Sequence, residues 1–320
     1  MWLLRWSGRI LATFLCVLAS GATLWADVVV VANEHAGTLS ILNPKVREAI
    51  GILEVGGDPH NLGVTRDGRR VVVTQPSAGM VTVVDARLPR ILKHLKVPGW
   101  PHGVAVSPDD RWAFVGAERH RKVYVVDLQR LGLDRAFAVE PAVHNLVITK
   151  TGQAWMTALG ERFLWLVDLQ AGMLISRLET TARPHDLALT RGGDILWVAN
   201  WGSRDVFLVH GQPRQVETIP ISGRQPHHVA ITPDEREIWI TNHGSQDISV
   251  IDALAQREIA RIAVGKAPHH VAFSADGRRA YVANSGSDTV SVVDVAARRE
   301  VSRLPAGAHP HGIVVIPDTP

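Results

Sequence analysis

The stretch Pro226-His227-His228-Val229-Ala230-Ile231-Thr232-Pro233-Asp234-Glu235 opens the unit that decides the fold. His227 to Thr232 alternates as a strand, and Pro233-Asp234-Glu235 is a turn. Glu237 to Thr241 is a second strand, Asn242 to Gln246 a polar loop, Ile248 to Asp252 a third strand and Glu258 to Val264 a fourth. Short β-rich runs parted by turn residues predict one four-stranded antiparallel sheet.

Outward from this unit the same opening recurs. It reads Pro59-His60-Asn61-Leu62, Pro101-His102-Gly103-Val104, Val143-His144-Asn145-Leu146 and Pro184-His185-Asp186-Leu187 upstream. Downstream it reads Pro268-His269-His270-Val271 and Pro310-His311-Gly312-Ile313. The seven histidines are spaced by 42, 42, 41, 42, 42 and 42 residues. A period of that length predicts a propeller blade, and the 294 residues from 27 to 320 make seven units of 42. The expected fold is all-β: a seven-bladed propeller of four-stranded antiparallel blades. The repeat is out of phase with the chain. Asp27-Val28-Val29-Val30 reads as a second strand and His311 to Val315 as an inner one, so the C-terminal strand should complete the N-terminal blade and close the circle.

Histidine is the only residue type kept in all seven openings, while the proline is lost at Val143 and the aspartate ending a later strand is lost at Asn43 and His210. Around an axis, His60, His102, His144, His185, His227, His269 and His311 would form a ring. Neutral imidazole is a ligand for copper, zinc and nickel, so the ring is a candidate metal site with copper first among the ions. One ion takes three or four imidazoles, which leaves the others to a cluster or to supporting roles. The bland alternative is structural: a histidine beside a turn can bond a neighbouring blade's backbone. His228 and His270 occupy the same position in adjacent blades. Strict strand alternation would turn them away from the ring, into the blade stack. Phe114, Trp155, Trp197, Trp239 and Tyr281 repeat in phase and read as packing between blades.

The units Gly103-Val104-Ala105-Val106-Ser107-Pro108-Asp109, Tyr281-Val282-Ala283-Asn284 and Val290-Ser291-Val292-Val293-Asp294 resemble the YVTN-type β-propeller repeat. The resemblance covers the chain from residue 27 onward and implies that the Pro-His strand is innermost in each blade. It also implies a parallel with the propeller of nitrous oxide reductase, whose histidines hold a copper cluster, several of them in contexts like Pro101-His102-Gly103. This chain lacks that enzyme's second, cysteine-containing copper domain. A second parallel is the d-type haem nitrite reductase propeller, in which one histidine is an axial ligand. Trp100, Arg183, Trp201, Arg224 and Lys266 fall on the same face as the ring and are the candidate cofactor-binding residues, the three cations suiting haem propionates. There is no Cys-x-x-Cys-His, which excludes covalent c-type haem. Streptogramin lyases are similar too, and imply a divalent ion beside an imidazole base such as His269 or His311.

Residues 1–26 are expected to be a signal peptide. Arg5 and Arg9 precede an apolar run from Ile10 to Ser20, and Ala26 supplies a small residue at the cut. The run is short for a membrane anchor, so the expectation is a periplasmic or secreted chain with no stable membrane span after cleavage. The only cysteine, Cys16, lies in that segment, which removes thiol catalysis and thiolate ligation from residues 27–320. Without Arg5 and Arg9 the formal charge falls from +3 to +1, which gives no electrostatic footprint for nucleic acid. The functional expectation is thus an exported copper protein, either a redox enzyme with a small-molecule substrate or a copper-handling protein. The alternatives are a d-type haem protein, a metal-dependent lyase, or a non-catalytic scaffold for a periplasmic protein partner.

Overall fold

In the computed structural model, residues 27–316 are described except 181, 212 and 213. The signal peptide expected over 1–26, with Cys16, lies outside the described residues. Seven four-stranded antiparallel sheets follow one another around an axis. We number blades 1 to 7 by the order of their ring histidines, His60 to His311. Blade 5 consists of Pro226–Ile231, Glu237–Asn242, Asp247–Asp252 and Arg257–Ala263, within one or two residues of the bounds expected from sequence. Blade 7 joins the two ends of the chain. Its inner strand Pro310–Ile316 pairs with Val28–Asn33, with Val30 opposite Val314 and Val28 opposite Ile316. This strand pairing completes the circle.

Blades adhere through apolar layers built from facing sheets. Between blades 5 and 6 lie Trp239, Ile248, Val250, Val271 and Val282. Phe114, Trp155, Trp197 and Tyr281 sit in the corresponding layers elsewhere, so the in-phase aromatics are interblade core. Trp155, Trp197 and Trp239 are fully buried, and truncating one of them to alanine would cost about 3–5 kcal/mol.

The face opposite the ring is made of tight polar turns. Thr232 Oγ1 donates to Asp234 Oδ1 at 2.7 Å, and Ser274 Oγ to Asp276 Oδ1 at 2.7 Å. Where the third strand ends in aspartate, that residue caps the next turn, as where the Ala255 N–H donates to Asp252 Oδ1 at 2.7 Å. Such turns fix strand spacing and leave the other face free to carry chemistry.

Candidate metal centre

Two local devices bring the histidines to the axis. The first is a clamp under the approach to the inner strand. Asn33, Asn242 and Asn284, at the ends of second strands, are fully buried and bond to neighbouring strand side chains. A Cβ on Gly307 would fall 2.6 Å from Asn33, so only glycine lets the approach to His311 lie on its asparagine. Gly307 N–H also donates to Asn33 Oδ1 at 3.0 Å. The residue before the ring proline then takes positive φ at Trp100, Gln225, Ala267 and His309, a left-handed step costing about 1 kcal/mol or more that aims the strand inward.

The second device is a bulge at the ring histidine itself. In blade 5 Pro226 pairs with Asn242 and Val229 with Ile240, so His227 and His228 together face Thr241. The Thr241 hydroxyl accepts from His228 N–H at 3.1 Å and donates to the His269 carbonyl of the next blade at 2.5 Å. Thr157 does the same for Asn145 and His185, and Thr74 for Asn61 and His102. Blades 2, 4, 6 and 7 carry Gly116, Ala199, Ala283 and Ala32 at that place and have no such hydroxyl.

The bulge corrects one expectation. Because alternation breaks there, His228 and His270 do not turn into the blade stack. Their rings stack at 4.1 Å, and His270 lies 5.0 Å from His311. They form a second tier of the channel beneath His227, His269 and His311. Elsewhere that tier holds Asn61, Asn145 and Asp186, with Gly103 and Gly312 where blades meet too closely for a Cβ. A Cβ would come within 2.5 Å of His144 O at Gly103, and closer still to His60 O at Gly312.

The seven imidazoles themselves run in a circuit of contacts. Successive ring centroids are 4.4, 3.9, 4.5, 4.5, 4.3, 4.3 and 3.6 Å apart from His60 round to His311 and back. The circuit is not uniform. His102 Nδ1 donates to the His144 carbonyl at 2.9 Å, and His185 Nδ1 to the His227 carbonyl at 3.0 Å. These are the two blades in which Gly116 and Ala199 stand where a threonine would hold the next carbonyl. Between them, His144 Nδ1 meets Glu118 Oε1 at 2.5 Å and its Nε2 meets His185 Nε2 at 3.1 Å. Since His185 donates through Nδ1, its Nε2 is the acceptor and His144 Nε2 carries the proton. Burial lowers the His144 pKa and raises that of Glu118.

The remaining four differ. Nδ1 of His60, His227, His269 and His311 is buried with no hydrogen-bond partner among the described residues. Ligand nitrogens of His227, His269 and His311 all lie within 4.8 Å of one another. Metal–imidazole bonds of about 2.0–2.1 Å bring such nitrogens somewhat closer than that, so small ring rotations suffice. Burial, followed by the proximity of neighbouring imidazoles, holds all three well below the usual histidine range, hence in the neutral form that ligates. His243 stands 5.0 Å from His269, and His309 5.6 Å, on the outer side.

Of the candidate cofactor residues, only Trp201 comes to the imidazoles, with ring centroids 5.5 Å from His185 and 5.4 Å from His227. Trp100 lies under the Arg119 guanidinium at 3.9 Å. Arg224 is turned to the Gly244 carbonyl at 2.9 Å, while Arg183 and Lys266 are exposed on the rim. Glu34 and Glu118, not among the candidates read from sequence, also come to the ring imidazoles. Asp58, on the same face, accepts from the N–H of Ser77 at 2.9 Å and shapes a loop.

Fold and site together define a seven-bladed propeller whose mouth is lined with imidazole. The chain belongs to the YNCE-like beta-propeller family, which matches residues 1–320. Hydrazine synthase of Kuenenia stuttgartiensis is similar in fold, with TM-score 0.77 and 18% identity over 84% of this chain and 92% of that one. A functionally unknown protein from Desulfotomaculum acetoxidans superposes with TM-score 0.80 at 14% identity, over 91% of this chain and 99% of its own. The dihydro-heme d1 dehydrogenase NirN, in complex with DHE, matches with TM-score 0.71 at 19% identity, over 93% of this chain and 78% of its own. No curated protein matches the chain. At these identities the likeness is one of fold.

Proposed function

We propose that the protein is an exported propeller that binds a transition-metal ion, copper first, through His227, His269 and His311. The observation that carries this reading is the set of buried, unpaired Nδ1 atoms confined to one arc of the circuit. A buried polar atom without a partner costs about 1–3 kcal/mol, and an ion bound there offsets that cost. The donor set is all imidazole, which fits copper or zinc and no hard cation. Bound there, the ion would supply redox or Lewis-acid chemistry. The chain's own residues surround it: His270 beneath the arc, His243 above it, and Trp201 narrowing the opening beside His227. No helix among the described residues is long and apolar enough to cross a membrane, and a signal peptide over 1–26 would deliver the chain to the periplasm.

The test is elemental analysis with an absorption spectrum on tag-free protein exported under copper-replete conditions. Stoichiometric copper, one equivalent of which is lost in the H227A/H269A/H311A variant, supports the reading. Folded, colourless protein that takes up no copper on titration overturns it. Turnover of a small oxidant or reductant then separates an enzyme from a copper-handling protein. A second reading, a d-type haem over the mouth with Arg183, Arg224 and Lys266 near its propionates, draws on the fold shared with NirN and on Trp201 beside two ring imidazoles. An intense Soret band would select it.

A further inference from the structure

A second group of ligand-bearing side chains stands outside the arc, at the solvent edge of blade 7. Ligand atoms of Glu34, His35 and His309 lie within 4.8 Å of one another. The rings of His35 and His309 stack at 4.2 Å with 21° between planes, and His309 Nδ1 is 2.9 Å from Glu34 Oε2. His35 is exposed, and the other two are half-buried. The two chain segments that carry them are bonded to each other. Glu34 N–H donates to His309 O at 3.0 Å, and His35 N–H to Ala308 O at 3.3 Å. His309 is held in turn by its N–H to Asp288 Oδ1 at 2.8 Å. The segments that carry the three donors are therefore fixed by their backbone before any ion arrives, which lowers the ordering cost of binding.

Glu34 also belongs to a second triad. Its carboxylate lies within 4.8 Å of ligand nitrogens of His60 and His311, both in the circuit and both with unpaired Nδ1. One carboxylate is thus shared between a solvent-facing set and a buried one. A bound ion moves between sites most readily by exchanging ligands one at a time, and a shared ligand lets it do so without returning to bulk water.

We infer that Glu34, His35 and His309 form an outer site for a divalent transition-metal ion, from which Glu34 hands the ion to His60 and His311 and so to the arc. The mixed set of one oxygen and two nitrogens suits Cu(II), Zn(II) or Ni(II). A surface ion pair alone would explain Glu34 against His309, and such a pair is worth at most about 1 kcal/mol. It explains neither the second imidazole stacked upon it nor the reach of the same carboxylate to His60 and His311. The hand-over rests on the arc reading; the outer site does not.

Four tag-free, full-length proteins test it: wild type, H35A/H309A, Glu34→Gln and H227A/H269A/H311A. Each is titrated with CuCl2, with stoichiometry read by equilibrium dialysis, loading rate by tryptophan quenching and integrity by thermal melting. Wild type should show two classes of site. H35A/H309A should lose the outer class, keep the arc, and load it more slowly by about tenfold or more, on the order of what local capture contributes. H227A/H269A/H311A should keep the outer class alone. Glu34→Gln, which preserves the turn, should slow loading of the arc as H35A/H309A does. Unchanged stoichiometry and rate in H35A/H309A overturns the inference while leaving the arc intact. Wild-type copper content in H227A/H269A/H311A, with loss of copper only in H35A/H309A, overturns the arc and leaves the outer site standing. Loss of all copper in H227A/H269A/H311A overturns the outer site.

Discussion

The half-circuit His102, His144 and His185 differs from the arc His227, His269 and His311, although all six residues descend from one repeated position. In the first, every Nδ1 is committed: to the His144 carbonyl, to Glu118, and to the His227 carbonyl. In the second, none is paired among the described residues. The difference begins one strand away. Where the second strand carries Thr74, Thr157 or Thr241, a hydroxyl holds the next blade's histidine carbonyl. Where Gly116 and Ala199 replace it, the imidazole takes over that bond. Blades 6 and 7 have Ala283 and Ala32, yet His269 and His311 do not take it over. One ring thus combines a half whose Nδ1 atoms bond to neighbouring protein groups with a half whose Nδ1 atoms have no protein partner among the described residues.

The largest effect should come from emptying the arc. H227A/H269A/H311A is expected to lose high-affinity copper by more than about a thousandfold, since about 4 kcal/mol goes with the ligands, while thermal melting of the metal-free protein changes little. Copper retained at wild-type affinity would break the contrast. Next is acid stability of the metal-free protein. Burial brings His102 down to about 3 and His185 down to about 4. Between those values and the ordinary imidazole value of about 6.5 the unfolded chain binds protons that the folded chain refuses. Stability is then fully present above about 6.5 and falls on acidification, by up to about 1.4 kcal/mol per pH unit for each such histidine. Urea midpoints at pH 7 and pH 5 should separate widely in wild type and less in H102A/H185A.

Smaller effects sharpen the boundary between the halves. His102→Ala or His185→Ala leaves a buried carbonyl unpaired and should cost about 1–3 kcal/mol in denaturant unfolding. His269→Ala removes an imidazole with no such bond and should cost less in metal-free protein. Equal losses at all three positions would remove the distinction. Smallest is Thr241→Ala, expected to cost about 1 kcal/mol by freeing the His269 carbonyl and the His228 N–H. Its stabilising counterpart, Ala199→Thr, should make His185→Ala nearly neutral if the hydroxyl can substitute for the imidazole.

Much of this was legible in the sequence. The period located every blade, and the strands of blade 5 fall within a residue or two of their expected bounds because apolar alternation and turn residues act locally. The seven histidines were found by their spacing alone. What spacing cannot reveal is rank within a repeat, because each imidazole's partners come from neighbouring blades about 42 residues away. The threonines, glycine and alanines facing the bulge carried no expectation from sequence, because their role depends on the bulge itself. The same bulge turned His228 and His270 to the channel, where strict alternation would have pointed them outward. Glu34 and Glu118 reach the imidazoles from equivalent top-loop positions two periods apart, but the other copies carry Pro76, Gly160, Trp201, His243 and Ser285 there, so the repeat does not single them out.

The most direct measurement is anomalous scattering at the copper edge from crystals of the copper-loaded, tag-free protein. The account predicts the principal peak among His227, His269 and His311. A principal peak beside His102, His144 and His185, or copper bound only away from the circuit, would contradict it.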